Sequence, residues 1–204
     1  ACALGWACWK TYLGRPEGDQ IRILAMGTLG NGLSAANHHE DALSVKEAEL
    51  STLRRIGASG NAILSTQNNL ANTYQSLGRF EETLSLRRSV YSGRLKLLGE
   101  EHLQTLSAAN NYAACLGDLQ RYEEAKALLR NTIPVARRVL GESHEIMLKI
   151  RVLYAEAFYK DDDATLADLR EAVSKLEDTE RTARRVLGGA HPLTQGTEVE
   201  LQNA

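Results

Sequence analysis

The sequence repeats itself at a fixed interval of 42 residues. NNYA at 110–113 follows NNLA at 68–71 by that distance, and RYEEA at 121–125 follows RFEET at 79–83 by the same distance. Self-similarity at a period of a few tens of residues is typical of stacked repeat arrays. Because each unit of such an array contacts only its neighbours, the number of repeats describes the chain better than the number of globular domains.

Five pairs of leucine or isoleucine followed by glycine recur at intervals of 43, 42, 42 and 47 residues. Glycine favours the left-handed backbone at a helix C-cap, and basic residues in the preceding turn complement the helix dipole. Basic residues lie in the turn before four of the five glycines, those at 57, 99, 141 and 188. The pattern predicts that helices end at five pairs, each with glycine as the left-handed cap: Leu13-Gly14, Ile56-Gly57, Leu98-Gly99, Leu140-Gly141 and Leu187-Gly188.

Two segments with helical periodicity lie between consecutive glycines, so each unit is predicted to be a helical hairpin. We therefore expect an all-α fold of antiparallel helix hairpins that forms one solenoid domain over 1–204. The expected divisions are the end of a preceding repeat at 1–14, complete repeats at 15–57, 58–99, 100–141 and 142–188, and the start of a further repeat at 189–204. Because the chain begins at Ala1 without methionine, we expect a fragment of a longer protein.

Small residues recur where helices must approach closely. On the first helix of each hairpin they are Gly30, Ala71, Ala113 and Ala155, and on the second they are Ala42, Thr83, Ala125 and Ala172. Pro134 falls inside a predicted second helix, which it should bend because proline has no amide hydrogen to donate.

Composition argues against several classes of protein. The 24 Lys and Arg residues nearly balance 26 Asp and Glu residues, which argues against nucleic-acid binding. No apolar run approaches the roughly 18 residues of a membrane span. Three cysteines without paired spacing favour a reducing, cytoplasmic location over secretion.

Four segments together carry a family resemblance. They are STQNNLANTYQSLGRFEETL at 65–84, LGEEHLQTLSAANNYA at 98–113, LQRYEEAKALLR at 119–130 and VLGGAHPLT at 186–194. The chain resembles a tetratricopeptide repeat array of the 42-residue kinesin light chain type. The resemblance implies a right-handed superhelix of helix pairs. It also implies a cargo-adaptor or scaffold module that holds an extended peptide in a concave groove lined by the first helices. Kinesin heavy chain or microtubule-linked cargo are partners implied by the resemblance alone.

Amide side chains dominate the positions that would line this groove. They both donate and accept hydrogen bonds, so a ladder of them could bind peptide backbone without selecting a sequence. For Asn69 and Asn111, bonding to a neighbouring helix is an equally good interpretation. The candidate peptide-binding residues are Asn68, Asn69, Asn72, Gln75, Asn110, Asn111 and Lys149.

Other functions are expected to be absent or to lie elsewhere. No phosphate loop, HExxH, GxSxG or paired-cysteine motif occurs, so we expect no enzyme, catalytic residue or cofactor. His102, His144 and His191 lie in different repeats, too far apart to bind one metal ion, and are expected to cap or bridge helix starts. The acidic triplet 161–163 is predicted to be a solvated hairpin turn. The alternative function is an architectural array attached to a separate catalytic or nucleotide-binding domain.

Overall fold

The computed structural model describes residues 2–204, which form ten helices and no strand. The predicted all-α, tetratricopeptide-like solenoid of helix hairpins is confirmed. The chain divides into two compact units, Ala1–Leu97 and Leu98–Ala204, called unit 1 and unit 2 below. The single domain over 1–204 stays a prediction.

Unit 1 contains two complete hairpins preceded by one helix. Its helices are α1 (Cys2–Tyr12), α2 (Gln20–Ala35), α3 (His39–Arg55), α4 (Gly60–Ser76) and α5 (Phe80–Leu98), the last ending one residue past the unit boundary. Consecutive helices from α1 to α4 pack against one another, and α2 also contacts α4. Stacking of one hairpin on the next therefore brings the first helices α2 and α4 together, as the repeat pattern predicts.

Unit 2 contains two hairpins followed by one helix. Its helices are α6 (Leu103–Asp118), α7 (Tyr122–Leu140), α8 (Glu145–Tyr159), α9 (Leu166–Leu187) and α10 (Pro192–Asn203). Consecutive helices pack against one another, and the first helix α8 also contacts the first helices before and after it, α6 and α10. Leu106, Leu129, Met147 and Ile150 form the centre of its core.

Helices end at or next to all five predicted pairs, but the left-handed glycine cap holds at only four of them. The backbone of Gly57 has a φ of 66°, and Ala58 donates its N–H to the carbonyl of Leu53 at 2.9 Å, closing the end of α3. Gly99, Gly141 and Gly188 likewise have positive φ, whereas Gly14 does not. The chain instead leaves α1 through a turn in which Arg15 donates to the carbonyl of Tyr12, so no left-handed residue is needed there.

The three repeated histidines cap helices, as expected. Each Nδ1 accepts a hydrogen bond from the backbone N–H two residues later, satisfying one of the donors that a helix start leaves free. The distances are 3.1 Å for His102, 3.1 Å for His144 and 3.2 Å for His191.

Close packing at the small-residue positions is also confirmed, since all eight side chains or glycine positions are buried. At Gly30 an added Cβ would lie 3.0 Å from Cγ of Lys46, which is tighter than ordinary van der Waals contact. Pro134 lies inside α7 as predicted.

The acidic triplet forms the turn between α8 and α9, but its first member is not simply solvated. The carboxylate of Asp161 forms an ion pair with the ammonium of Lys126 at 2.8 Å, and the Asp161 side chain is only 18% exposed. Asp162 and Asp163 are exposed, as predicted. The prediction was wrong for Asp161 because Lys126 is buried beside the Phe158 ring, and a buried cation requires a nearby acceptor.

Candidate amide-lined binding face

One core position carries different chemistry in the two units. It lies four residues after the small residue of each second helix, and we call it the plus-four position. In unit 1 it holds Lys46 and Arg87, which are 3% and 5% exposed. In unit 2 it holds Leu129 and Leu176, both 0% exposed. Unit 1 therefore buries cations where unit 2 buries leucines.

Arg87 projects from α5 into the amide side chains of α4. Its guanidinium donates to Oδ1 of Asn68 at 2.8 Å and to Oδ1 of Asn72 at 2.5 Å. A longer bond of 3.4 Å reaches Oε1 of Gln75. These three amides lie at i, i+4 and i+7 on α4, so they share one face of that helix. A buried cation is thus solvated by neutral oxygens of the residues predicted to bind peptide.

This arrangement orients the amides of α4. Because Arg87 holds the oxygens of Asn68 and Asn72, the NH₂ groups of these side chains point away from it. Asn72 is exposed, whereas Asn68, Asn69 and Gln75 are half-buried. The side chain of Asn69 stands apart from the Arg87 network, and its backbone carbonyl accepts from Thr73 at 3.3 Å. Asn72 therefore presents amide donors to the surface of α4.

Lys46 is held by hydroxyl groups. Its ammonium donates to Oγ of Ser34 at 2.8 Å and to Oγ1 of Thr73 at 2.9 Å. Burial lowers the pKa of Lys46 below its usual value, and the charge of nearby Glu49 partly opposes this effect. Burial in turn raises the pKa of Glu49, which accepts from Thr66 at 3.2 Å. The buried cation at the plus-four position of α3 is therefore also solvated mainly by neutral groups.

The predicted residues of unit 2 form a shorter polar patch. Asn110 donates from Nδ2 to Oδ1 of Asn111 at 3.3 Å, and both are half-buried. Oδ1 of Asn110 is buried without a hydrogen-bond partner among residues 2–204. Lys149 pairs with Glu145 on the same helix at 2.6 Å, which lowers the pKa of Glu145.

A carboxylate network lies at the other end of α8. Burial raises the pKa of Glu156, whose carboxylate lies 3.3 Å from the ammonium of Lys160. Lys160 also pairs with Glu200 of α10 at 3.1 Å, and the Tyr159 hydroxyl donates to Glu200. Asp118 of α6 adds negative charge that further raises the pKa of Glu156. The ammonium of Lys160 is therefore shared by two carboxylates, those of Glu156 and Glu200.

Comparison with known families agrees with the repeat fold. A family model described as tetratricopeptide repeat matches residues 62–117 and 104–168, together just over half of the chain. The chain belongs to the tetratricopeptide repeat family.

Solved tetratricopeptide-like structures agree at the level of the fold. The nearly identical TPR-like repeats of a kinesin light chain from Podosopora anserina have a TM-score of 0.72 at 22% identity, covering 93% of this chain and 86% of that one. BtubC (BKLC) from P. vanneervenii has a TM-score of 0.75 at 14% identity, covering 99% and 80%. A Rap protein complexed with Competence and Sporulation Factor has a TM-score of 0.66 at 16% identity, covering 99% and 57%. No curated protein matches the sequence significantly.

Neither a metal-binding cluster nor a membrane-spanning helix occurs in the part of the chain that the structure describes. Residues 2–204 contain no group of three or more His, Cys, Asp or Glu side chains placed to hold a metal ion. None of the helices between Cys2 and Asn203 combines the length and apolar character needed to cross a membrane.

Arg87 is not among the residues predicted from the sequence, although the sequence contains a signal for it. Aligning the second helices places Arg87 and Lys46 where Leu129 and Leu176 stand, and a cation at a core position requires acceptors nearby. The amides of α4 are the nearest acceptors that the repeat pattern offers.

Proposed function

We propose that the amide-lined face of α4 in unit 1 binds an extended peptide segment of a partner protein. The observation that carries this proposal is the buried Arg87 guanidinium, which fixes the oxygens of Asn68 and Asn72. Amide groups held in this way lose little side-chain entropy when a ligand binds, so more of the binding energy is retained.

The chemistry of the face suits peptide backbone. The exposed Asn72 presents NH₂ donors, and backbone carbonyls of an extended segment are acceptors present at every residue. Asn69 and Gln75 lie on the same helix and extend the polar surface along its axis. In unit 2, Asn110, Asn111 and Lys149 are the corresponding candidates.

The family supports the coarser part of this proposal. Tetratricopeptide repeat arrays are protein-interaction modules that are generally not catalytic. We extend this to an adaptor or scaffold role in the cytoplasm, with kinesin heavy chain or microtubule-linked cargo as candidate partners. A Rap protein of similar fold has been solved in complex with Competence and Sporulation Factor.

A peptide-display screen against the immobilised protein tests the proposal. For a selected peptide, Asn72→Ala should weaken binding by about fivefold to tenfold, since one hydrogen bond contributes about 1 kcal/mol. Asn131→Ala is the matched control, because it removes an exposed amide from the second helix α7. Equal affinity of Asn72→Ala and the unchanged protein would reject the α4 face, and failure to select any peptide would favour the architectural alternative.

A further inference from the structure

A cavity of about 110 Å³ lies between α6, the start of α7 and α8 in unit 2. This is several times the volume of about 30 Å³ that one water molecule takes in the liquid. Small side chains make up much of its wall, and the charged groups that line it are Asp118, Glu156 and Lys160. Two carboxylates and one ammonium therefore line the cavity together with several small side chains.

The repeat explains why the space exists. Ala114 and Gly117 on α6 stand 42 residues after Asn72 and Gln75 on α4, so unit 2 has lost two amide side chains at this place. A Cβ added to Gly117 would meet no heavy atom within 4 Å. The cavity thus results from missing side chains and not from a loosely packed backbone.

The place in unit 1 that corresponds to the cavity is filled by a guanidinium and three amide side chains. There the guanidinium of Arg87 lies among Asn68, Asn72 and Gln75, whereas the plus-four residue of α7 is Leu129. Unit 2 has a leucine in place of Arg87 and lacks two of the amides that receive the guanidinium in unit 1. It has carboxylates instead, so a cation supplied from outside would find stronger acceptors than the amides of unit 1.

The charge balance favours such a cation. Glu156 shares Lys160 with Glu200, and Glu200 also accepts from the Tyr159 hydroxyl. If a partner's cation pairs with Glu156, Lys160 can remain with Glu200, so no internal carboxylate loses its counter-ion. Burial raises the pKa of Glu156, which means that its ionised form gains from any additional positive charge.

We propose that the cavity beside Glu156 binds a basic side chain, preferably arginine, of the partner segment. Arginine fits better than lysine because its planar fork of donors can bond to two acceptors at once. The proposal deepens the peptide-binding function and rests on it, since it assigns the partner one positive charge at this end of unit 2.

The test uses N-acetyl-arginine amide and its uncharged analogue N-acetyl-citrulline amide, titrated into the ¹⁵N-labelled protein and followed by NMR. The arginine compound should shift the backbone signals of Gly117 and Ala157. It should bind about tenfold or more tightly than the citrulline compound, because bonds to a charged acceptor weaken when the donor loses its charge. N-acetyl-lysine amide should bind with intermediate affinity.

Two variants locate the site. Glu156→Gln should reduce the affinity for the arginine compound to that for citrulline, while the control Glu177→Gln, on the exposed side of α9, should leave it unchanged. Gly117→Gln places the unit 1 residue in the cavity and should abolish the shifts, with circular dichroism confirming that the helices are retained. Equal binding of the two compounds, or binding that Glu156→Gln leaves intact, overturns the inference.

The results also separate this inference from the proposed function. Selected peptides that bind through α4 but contain no basic residue and do not depend on Glu156 would overturn the cavity inference alone. Specific binding of the arginine compound by a protein that selects no peptide would support the cavity and reject peptide binding.

Discussion

Lys46 and Arg87 in unit 1 occupy the same repeat position as Leu129 and Leu176 in unit 2, and all four are buried. The backbone environment is similar, because each follows a small residue by four positions on a second helix. The difference lies in the neighbours. In unit 1 hydroxyl and amide oxygens surround each cation, whereas Leu176 packs with Val152 and Phe158.

The same helix hairpin can therefore be stabilised either by a buried leucine or by a buried cation at the plus-four position. A leucine contributes through burial alone, at about 25 cal/mol per Å² of apolar surface. A buried cation contributes only where several acceptors offset its desolvation. Arg87 meets that condition through side chains of α4, and the same contacts orient the face that we propose binds peptide.

The largest expected effect comes from placing a unit 1 residue in unit 2. Leu176→Lys should lower the free energy of unfolding by about 3–5 kcal/mol, because an ammonium would be buried among Val152, Ala155 and Phe158. Urea unfolding followed by circular dichroism measures the loss. The control Leu176→Met should cost less than about 1.5 kcal/mol. Similar losses for both variants would mean that unit 2 also solvates a cation at this position.

An intermediate effect is expected from the reverse exchange. Arg87→Leu should cost about 1.5–3 kcal/mol, because the amides of Asn68 and Asn72 lose a charged donor. A double-mutant cycle with Asn72→Ala should give a coupling of about 1 kcal/mol. The exposed neighbour Arg88 supplies the control, and Arg88→Leu should change stability by less than about 0.5 kcal/mol. Additive losses in the cycle would contradict the assigned network.

The smallest effect is expected at Lys46. Lys46→Met should raise the free energy of unfolding at neutral pH by about 1 kcal/mol, since it removes a desolvated charge while Thr73 keeps its bond to the carbonyl of Asn69. The matched control is Lys96→Met, which changes an exposed lysine near the end of α5.

The pH dependence of the Lys46 effect has a defined sign. Because burial lowers the pKa of Lys46 in the folded protein, the unfolded chain binds more protons between that pKa and the usual value of about 10.5. The stability of the unchanged protein should therefore rise with pH through this window, and its difference from Lys46→Met should shrink. Urea midpoints measured at neutral pH and at about pH 10 check this, and a constant difference would contradict the lowered pKa.

Much of the fold could be predicted because its signals are local. A helix end depends on the glycine at 57, 99, 141 or 188 and on the turn before it, and the histidine caps bond only two residues ahead. Gly14 shows the limit of the pattern, since a short turn from Tyr12 to Arg15 ends the first helix without a left-handed residue.

The candidate site was predictable only in part. Helical spacing was enough to place Asn68, Asn72 and Gln75 on one face, because i, i+4 and i+7 coincide on any α-helix. Spacing could not show that Arg87 holds their oxygens, since that contact depends on how α5 packs against α4. Nor did any pattern assign a partner to Asp161, because only packing of the longer turn brought it to Lys126.

The sequence by itself therefore determined the period, the hairpins, the family and the small residues at the close contacts, all of which follow from patterns within one repeat. The tertiary structure decided which polar groups meet: the guanidinium of Arg87 with the α4 amides, and Glu156 with a cavity opened by Ala114 and Gly117. The physical reason is that hydrogen bonds and desolvation depend on distances of a few ångströms between side chains of different helices, which a repeat pattern does not specify.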